Sequence, residues 1–155
     1  MTAFSTHLAT CFGIGRIPVA PGTFASAAAL PLGWALAQMG WQGVVAGAIA
    51  ATIAGIWACD IHARKVGLHD PSECVIDEVA GQWFALAPIA AMARSGDWWL
   101  YALAFLLFRL FDITKPWPIS AAERLPGGLG VMMDDVLAGF VAALLLYAAM
   151  TMRFV

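Results

Sequence analysis

Charge is what this chain has least of: eight Lys and Arg and ten Asp and Glu in 155 residues. A soluble domain carries about a quarter of its residues charged. Here the share is 12%, against 62% hydrophobic and a mean hydropathy of +0.82. That balance excludes a water-facing shell over most of the chain and makes lipid the natural solvent. A basic excess is missing too. The net charge is -2, which leaves no surface to track a phosphodiester backbone and excludes nucleic acid as a partner. Cysteine is scarce: Cys11, Cys59 and Cys74 are odd in number and lack Cys-x-x-Cys spacing. This rules against a disulfide framework and a zinc knuckle, leaving reduced core thiols. No linker, charge run, low-complexity tail or internal repeat interrupts the chain, so residues 1–155 read as one domain. Met1 to Gly13 lacks the Lys/Arg start and cleavage pattern of a secretory signal, so nothing need be removed before folding.

What is abundant is uncharged length. No charged residue stands between Arg16 and Asp60, enough for two spans of about 17 to 20 residues with a turn at Gly40-Trp41-Gln42-Gly43. Further apolar stretches run from Val79 to Ala93, from Trp98 to Phe111 with Arg109 inside it, and from Val136 to Met152. The pattern predicts an all-α, membrane-embedded bundle of about five helices. Short members gain length when their flanking charges start at headgroup depth. Five spans place Arg16, Arg64, Lys65, Lys115 and Arg124 on one side and only Arg94 and Arg153 on the other, so the first side is cytoplasmic. Trp41, Trp98 and Trp99 fall at the opposite turns, and Trp57 and Trp117 near the cytoplasmic ends, as interfacial indoles do.

Half of the acidic residues, Asp77, Glu78, Asp112, Asp134 and Asp135, stand where apolar stretches begin or end. The topology carries all five, with Arg109 and Lys115, to the cytoplasmic ends of three helices. Adjacent acidic pairs also suit helix N-termini, where they offset the macrodipole by about 0.3–1 kcal/mol. Two pairs, a further carboxylate and two cations in so charge-poor a chain favour a metal and phosphate site over capping alone. Magnesium takes oxygen ligands and shares its coordination with phosphate, so Asp77, Glu78, Asp112, Asp134 and Asp135 are its candidate ligands. Arg109 and Lys115 would meet phosphoryl oxygens.

Other polar features carry less. Asp60 and Arg64, at i, i+4, form a local pair of little worth. His62 and His69 have no ligand spacing; His69, before Asp70-Pro71, is the one to watch. Gly13 to Thr23 is rich in turn formers, with Thr23 a candidate N-cap. The free amides of such a helix start suit an anion, so Gly22 and Thr23 are candidate substrate contacts. A re-entrant turn on the cytoplasmic face would use the same residues. Gly127-Gly128-Leu129-Gly130 leads into the Asp134-Asp135 helix, with Gly128 able to let substrate approach the backbone or simply to make the turn.

Four blocks together resemble a known family. They are Phe12-Gly-Ile-Gly-Arg-Ile-Pro-Val-Ala-Pro-Gly-Thr23, Asp77-Glu78-Val-Ala-Gly81-Gln-Trp83, Phe108-Arg109-Leu-Phe-Asp112-Ile-Thr-Lys115-Pro116-Trp-Pro118-Ile119 and Gly127-Gly-Leu-Gly130-Val-Met-Met-Asp134-Asp135-Val-Leu-Ala-Gly139. In this order, spanning nearly the whole chain, they are similar to the phosphatidylglycerophosphatase A family. The resemblance implies a bacterial inner-membrane, multi-pass, magnesium-dependent phosphatase with its site facing the cytoplasm. Its substrate would be phosphatidylglycerophosphate, and its products phosphatidylglycerol and inorganic phosphate. The family's acidic blocks fall on Asp77, Glu78, Asp134 and Asp135 as catalytic residues, and its basic block on Arg109 and Lys115. Segment 120–126 matches least, so Glu123 stays outside the core assignment.

Missing motifs point the same way. No Cys-x5-Arg loop, Asp-x-Asp pair or His-based lipid-phosphatase pattern is present, so the familiar covalent routes lack their residues. A metal-assisted route remains, with water or a carboxylate as nucleophile. The lipid's acyl chains are expected to stay in the bilayer beside the bundle, with only the headgroup entering. Among rivals, a CDP-alcohol phosphatidyltransferase would need an Asp-x2-Asp-Gly-x2-Ala-Arg signature that is absent. A small carrier or channel with a buried acidic cation site is the alternative, although such sites lie near the bilayer midplane. A structural subunit would tolerate Asp134→Asn without loss of turnover.

Overall fold

The computed structural model describes residues 2–68 and 70–152; His69 and Arg153 lie outside them. The chain forms α1 (Thr2–Ala9), a 3-10 stretch (Cys11–Arg16), α2 (Pro21–Ala37), α3 (Trp41–Val66), α4 (Ile76–Ala91), α5 (Trp98–Thr114), α6 (Ile119–Ala122) and α7 (Gly128–Thr151). No strand occurs among the described residues. The apolar stretches of the sequence became α2, α3, α4, α5 and α7. Sequence reading missed α1, the 3-10 stretch and α6, which carry no long apolar pattern. Helices this short are unstable alone and exist through packing: Ala9 is fully buried, and its carbonyl accepts the Val75 N–H at 2.9 Å.

Local chemistry sets the boundaries. Pro21 opens α2, where its missing N–H costs nothing. Gly67, with φ 74°, closes α3 in the left-handed conformation. Two boundaries differ from expectation. Ala20, not Thr23, precedes the first turn of α2, and no side chain caps it, because Pro21 already fixes the start. Helix α7 begins at Gly128, so Asp134 and Asp135 lie roughly two turns inside it rather than at its N-terminus. The Gly130 N–H donates to the Gly127 carbonyl at 3.1 Å, so the helix is already wound at the glycines.

Helix α4 is central, packed by α2, α3 and α7. Its Ala80, Gln82, Ala85, Leu86 and Ile89 have no exposed surface. It meets α7 where a Cβ on Gly139 would strike the Gly81 backbone and one on Gly81 would lie 2.5 Å from the Asp135 carbonyl oxygen. Small residues let helix backbones touch in this way. The starts of α2, α4 and α7 and the ends of α3 and α5 gather at one end of the bundle, as the contacts Gly22 to Glu78, Arg109 to Glu78, Lys115 to Asp134 and Gly127 to Asp60 show. All five acidic candidates are at that end.

Helices α3 and α7, with 26 and 24 residues, are long and apolar enough to cross a membrane. Helices α2, α4 and α5 have 17, 16 and 17 residues, at the short limit of roughly 17–25 for a span. Large apolar side chains such as Phe24, Leu32, Ile53, Leu106, Ile113 and Leu144 are exposed. Trp41 and Trp98 are exposed at one end of the bundle and Trp117 at the other.

Candidate active site

The site grows from the first turn of α4. Glu78 is buried there, and its Oε2 accepts hydrogen bonds from Ser26 Oγ at 2.8 Å and from Arg109 Nη1. Arg109 also meets Asp112 Oδ2 at 2.7 Å, one turn along α5. One guanidinium nitrogen, Nη1, therefore bridges two carboxylates. Asp135 approaches from α7, and single oxygens of Glu78, Asp112 and Asp135 all lie within 4.8 Å of one another. Three helices thus converge three acids on one point.

Asp77 and Asp134 flank that point rather than joining it. Asp77 Oδ1 accepts the Glu78 N–H at 2.9 Å, so it satisfies an amide of the helix start. Asp134 Oδ2 accepts from Lys115 Nζ at 2.7 Å, and Glu123 Oε1 accepts from the same ammonium at 3.1 Å. Burial alone would push the Lys115 ammonium down, but the hydrogen bonds and charges of Asp134 and Glu123 outweigh it and hold the group above its ordinary range. Lys115 stays protonated at any physiological pH. It adopts the left-handed conformation, φ 41°, as it ends α5, a strained geometry for a residue with a Cβ.

Both cations are held by protein carboxylates here, whereas the sequence reading gave them to phosphate. The reason is proximity: Arg109 and Asp112 share a helix face, and α5 ends beside α7. Even so, five carboxylates (Asp77, Glu78, Asp112, Asp134, Asp135) face two cations. Four buried donor or acceptor atoms on three side chains, Asp134 Oδ1, Arg109 Nε and the Gln82 Nε2 and Oε1, have no hydrogen-bond partner. Glu78, Asp112 and Asp135 could hold a metal ion, and an all-oxygen donor set suits a hard divalent ion such as Mg²⁺.

Two residues were missed by the sequence reading. Ser26 was legible, because it is the one hydroxyl between Thr23 and Gln38 and sits four residues after Gly22. Glu123, set aside for want of a motif match, is a partner of Lys115. Gly22 lies directly at the site: a Cβ there would collide with the Glu78 carboxylate and come within 3.3 Å of Arg109 Nη1. Gly22→Ala should therefore push Glu78 aside and cost about a hundredfold in turnover, the usual effect of a misplacement near 1 Å. Steady-state phosphate release, with circular dichroism as a control for folding, checks this. Thr23 lies in the same first turn, whose leading amides have no partner inside the helix. Gly128 instead packs on α3, where a Cβ would strike the Ile56 carbonyl and approach the Asp60 N within 2.8 Å; close packing explains this glycine. Asp60 pairs with Arg64 at 2.8 Å. His62 is buried, its Nδ1 3.4 Å from Thr6 Oγ1 and its Nε2 3.8 Å from Glu73.

The fold and site together define an all-helical protein with an acid-rich, cation-countered centre at one end of its bundle, a constellation suited to phosphomonoester chemistry. A family model described as phosphatidylglycerophosphatase A matches residues 7–150. The chain is 36% identical over 141 residues to phosphatidylglycerophosphatase A of Escherichia coli strain K12, covering 90% of this chain and 80% of that one. It is 38% identical over 143 residues to the protein of the same name from Haemophilus influenzae, covering 91% and 85%. A protein of Bacteroides thetaiotaomicron named "Putative phosphatidylinositol-3-phosphatase" is 39% identical over 149 residues, covering 92% and 91%. No solved structure matches. The chain belongs to the phosphatidylglycerophosphatase A family and is a phosphatase.

Proposed function

We propose that this enzyme hydrolyses the terminal phosphomonoester of phosphatidylglycerophosphate, releasing phosphatidylglycerol and inorganic phosphate, with Mg²⁺ as cofactor. The observation that carries the reading is the convergence of Glu78, Asp112 and Asp135 within 4.8 Å, in a chain whose relatives bear that activity in their names. These three carboxylates would hold the ion, with Asp77 and Asp134 completing the acidic surround. When bound, the metal supplies charge neutralisation of the phosphomonoester and of its leaving oxygen.

The chain's own groups do the rest. Arg109 Nε is a buried donor without a partner, and a phosphoryl oxygen is the acceptor it lacks. Lys115 is the more exposed of the two cations and meets the incoming headgroup at the mouth. The first amides of α2, at Gly22 and Thr23, add donors for the same anion. Asp134 has one oxygen pinned by Lys115 and the other free, so it can orient a water for attack and take its proton. As the P–O bond breaks, Arg109 and Lys115 stabilise the charge on the transferred group.

Placement in the bacterial inner membrane with the site toward the cytoplasm completes the proposal. It is supported by α3 and α7, by the exposed apolar side chains and by the Lys/Arg surplus in the connections at the site end. The test is phosphate release from phosphatidylglycerophosphate in mixed micelles. A chelator should lower the rate about 10³-fold, the several kcal/mol a metal contributes, and added Mg²⁺ should restore it. Undiminished turnover in chelator would remove the ion from the proposal. Cation flux across proteoliposomes without phosphate release would favour a carrier.

A further inference from the structure

Beside the acidic centre lies a groove of about 520 Å³ between α2 and α3, floored by α4. Its volume falls within the roughly 300–1,000 Å³ of ligand pockets. The walls hold no charged side chain: Ala28, Leu32 and Leu36 on α2 face Ala50, Ala51 and Ala54 on α3, and Leu8 of α1 with Phe12 and Ile14 of the 3-10 stretch also line it. Ala28, Leu32 and Ala50 are exposed, so the groove opens sideways, toward the surroundings of the bundle.

Trp83 keeps the two walls apart. Its indole rises from α4, and its Nε1 donates to the Ala29 carbonyl on α2 at 2.9 Å. Each wall carries a glycine where it meets this ring. A Cβ on Gly33 would lie 3.0 Å from Trp83 Cδ1, and one on Gly47 3.4 Å from its Cε3. The ring therefore acts as a spacer, and the small residues above it leave the space unfilled.

One end of the groove lies beside the site, although no side chain of the acidic centre lines it. At one end it is lined by Ala25, Ile76 and Val79, which adjoin Ser26, Asp77 and Glu78 in sequence. From Ala25 to Leu36 it follows eleven residue steps of α2, about 16 Å of helix, close to the roughly 15 Å of hydrocarbon in one leaflet. An apolar, laterally open slot of one leaflet's depth, ending beside the proposed phosphate centre, has the form of a phosphorylated lipid.

We propose that one acyl chain of the lipid substrate lies in this groove, so that the enzyme grips the tail as well as the headgroup. This rests on the phosphatase reading above and replaces the expectation that both chains stay outside the bundle. The groove anchors the lipid at a fixed depth and sets the phosphomonoester level with Glu78 and Arg109. Its contribution should therefore appear mainly in KM and grow with chain length.

The test compares long-chain phosphatidylglycerophosphate in mixed micelles with a water-soluble short-chain form, both with Mg²⁺. The variant Ala28→Leu/Ala50→Leu fills the slot using good helix formers at exposed positions. For the long-chain lipid, KM should rise about tenfold, the loss of about two buried methylenes, with kcat little changed. For the short-chain form both constants should stay as in the parent, which also shows that the variant folds. An equal effect on both substrates, or none on either, overturns the proposal. If the parent hydrolyses neither substrate, the phosphatase reading fails by itself. The groove is then judged by photo-crosslinking with a lipid bearing a diazirine in its tail: label on residues 28–54 supports occupancy, and label only on the outer faces of α5 and α7 refutes it.

Discussion

Asp135→Asn is expected to lower phosphate release about 10³-fold while leaving the protein as stable as before, or more so. The activity loss follows from position. Asp135, Glu78 and Asp112 bring oxygens from three helices within 4.8 Å, and losing one preorganised charged group at such a centre costs on the order of 10²–10³. The stability gain follows from the same closeness, since like charges confined together repel and exchanging one for an amide of equal shape relieves them. Active centres commonly trade stability for function in this way. Thermal unfolding in detergent beside turnover in micelles gives both numbers. A variant that melts earlier and also turns over normally would contradict both halves.

Arg109→Ala should act in the opposite sense on stability. The guanidinium is only 14% exposed and bonds both Glu78 and Asp112. Removing it leaves two buried carboxylates without their partner, a loss of about 3–5 kcal/mol, and removes the donor assigned to the phosphoryl group. Turnover should fall below detection and the melting temperature should drop. Adding Glu78→Gln should recover part of the stability, because the uncompensated charge is gone, and none of the activity. If the single variant melts like the parent, the ion pairs carry no weight and the central role of Arg109 fails with them.

Much of this arrangement was legible in the residues. Carboxylates in a charge-poor chain stand out because burying them is costly, and the alternation of apolar stretches brings Asp77, Glu78, Asp112, Asp134 and Asp135 to one end. What could not be read was the division of labour among them. Neighbours in sequence point about 100° apart on a helix, so Glu78 and Asp135 reach the common point while Asp77 caps and Asp134 engages Lys115. That choice depends on helix rotation, which is fixed by packing such as that of Gly81 on Gly139. Helix α1 and the early start of α7 escaped for a related reason, since neither carries the apolar period that marks the long helices. Ser26 was passed over although it is the one hydroxyl in its alanine-rich helix segment, because no motif surrounds it.

The backbone contact of Gly81 with Gly139 lies about one turn from Glu78 and from Asp135. Two of the three converging acids therefore ride on helices clamped spine to spine, with no side chain between them to yield. Accommodating a bulkier or differently charged headgroup should then fall to the start of α2 and to residues 115–122, away from the α4–α7 crossing. Homologous enzymes that diverge in headgroup choice should differ there first, with the α4–α7 crossing left untouched.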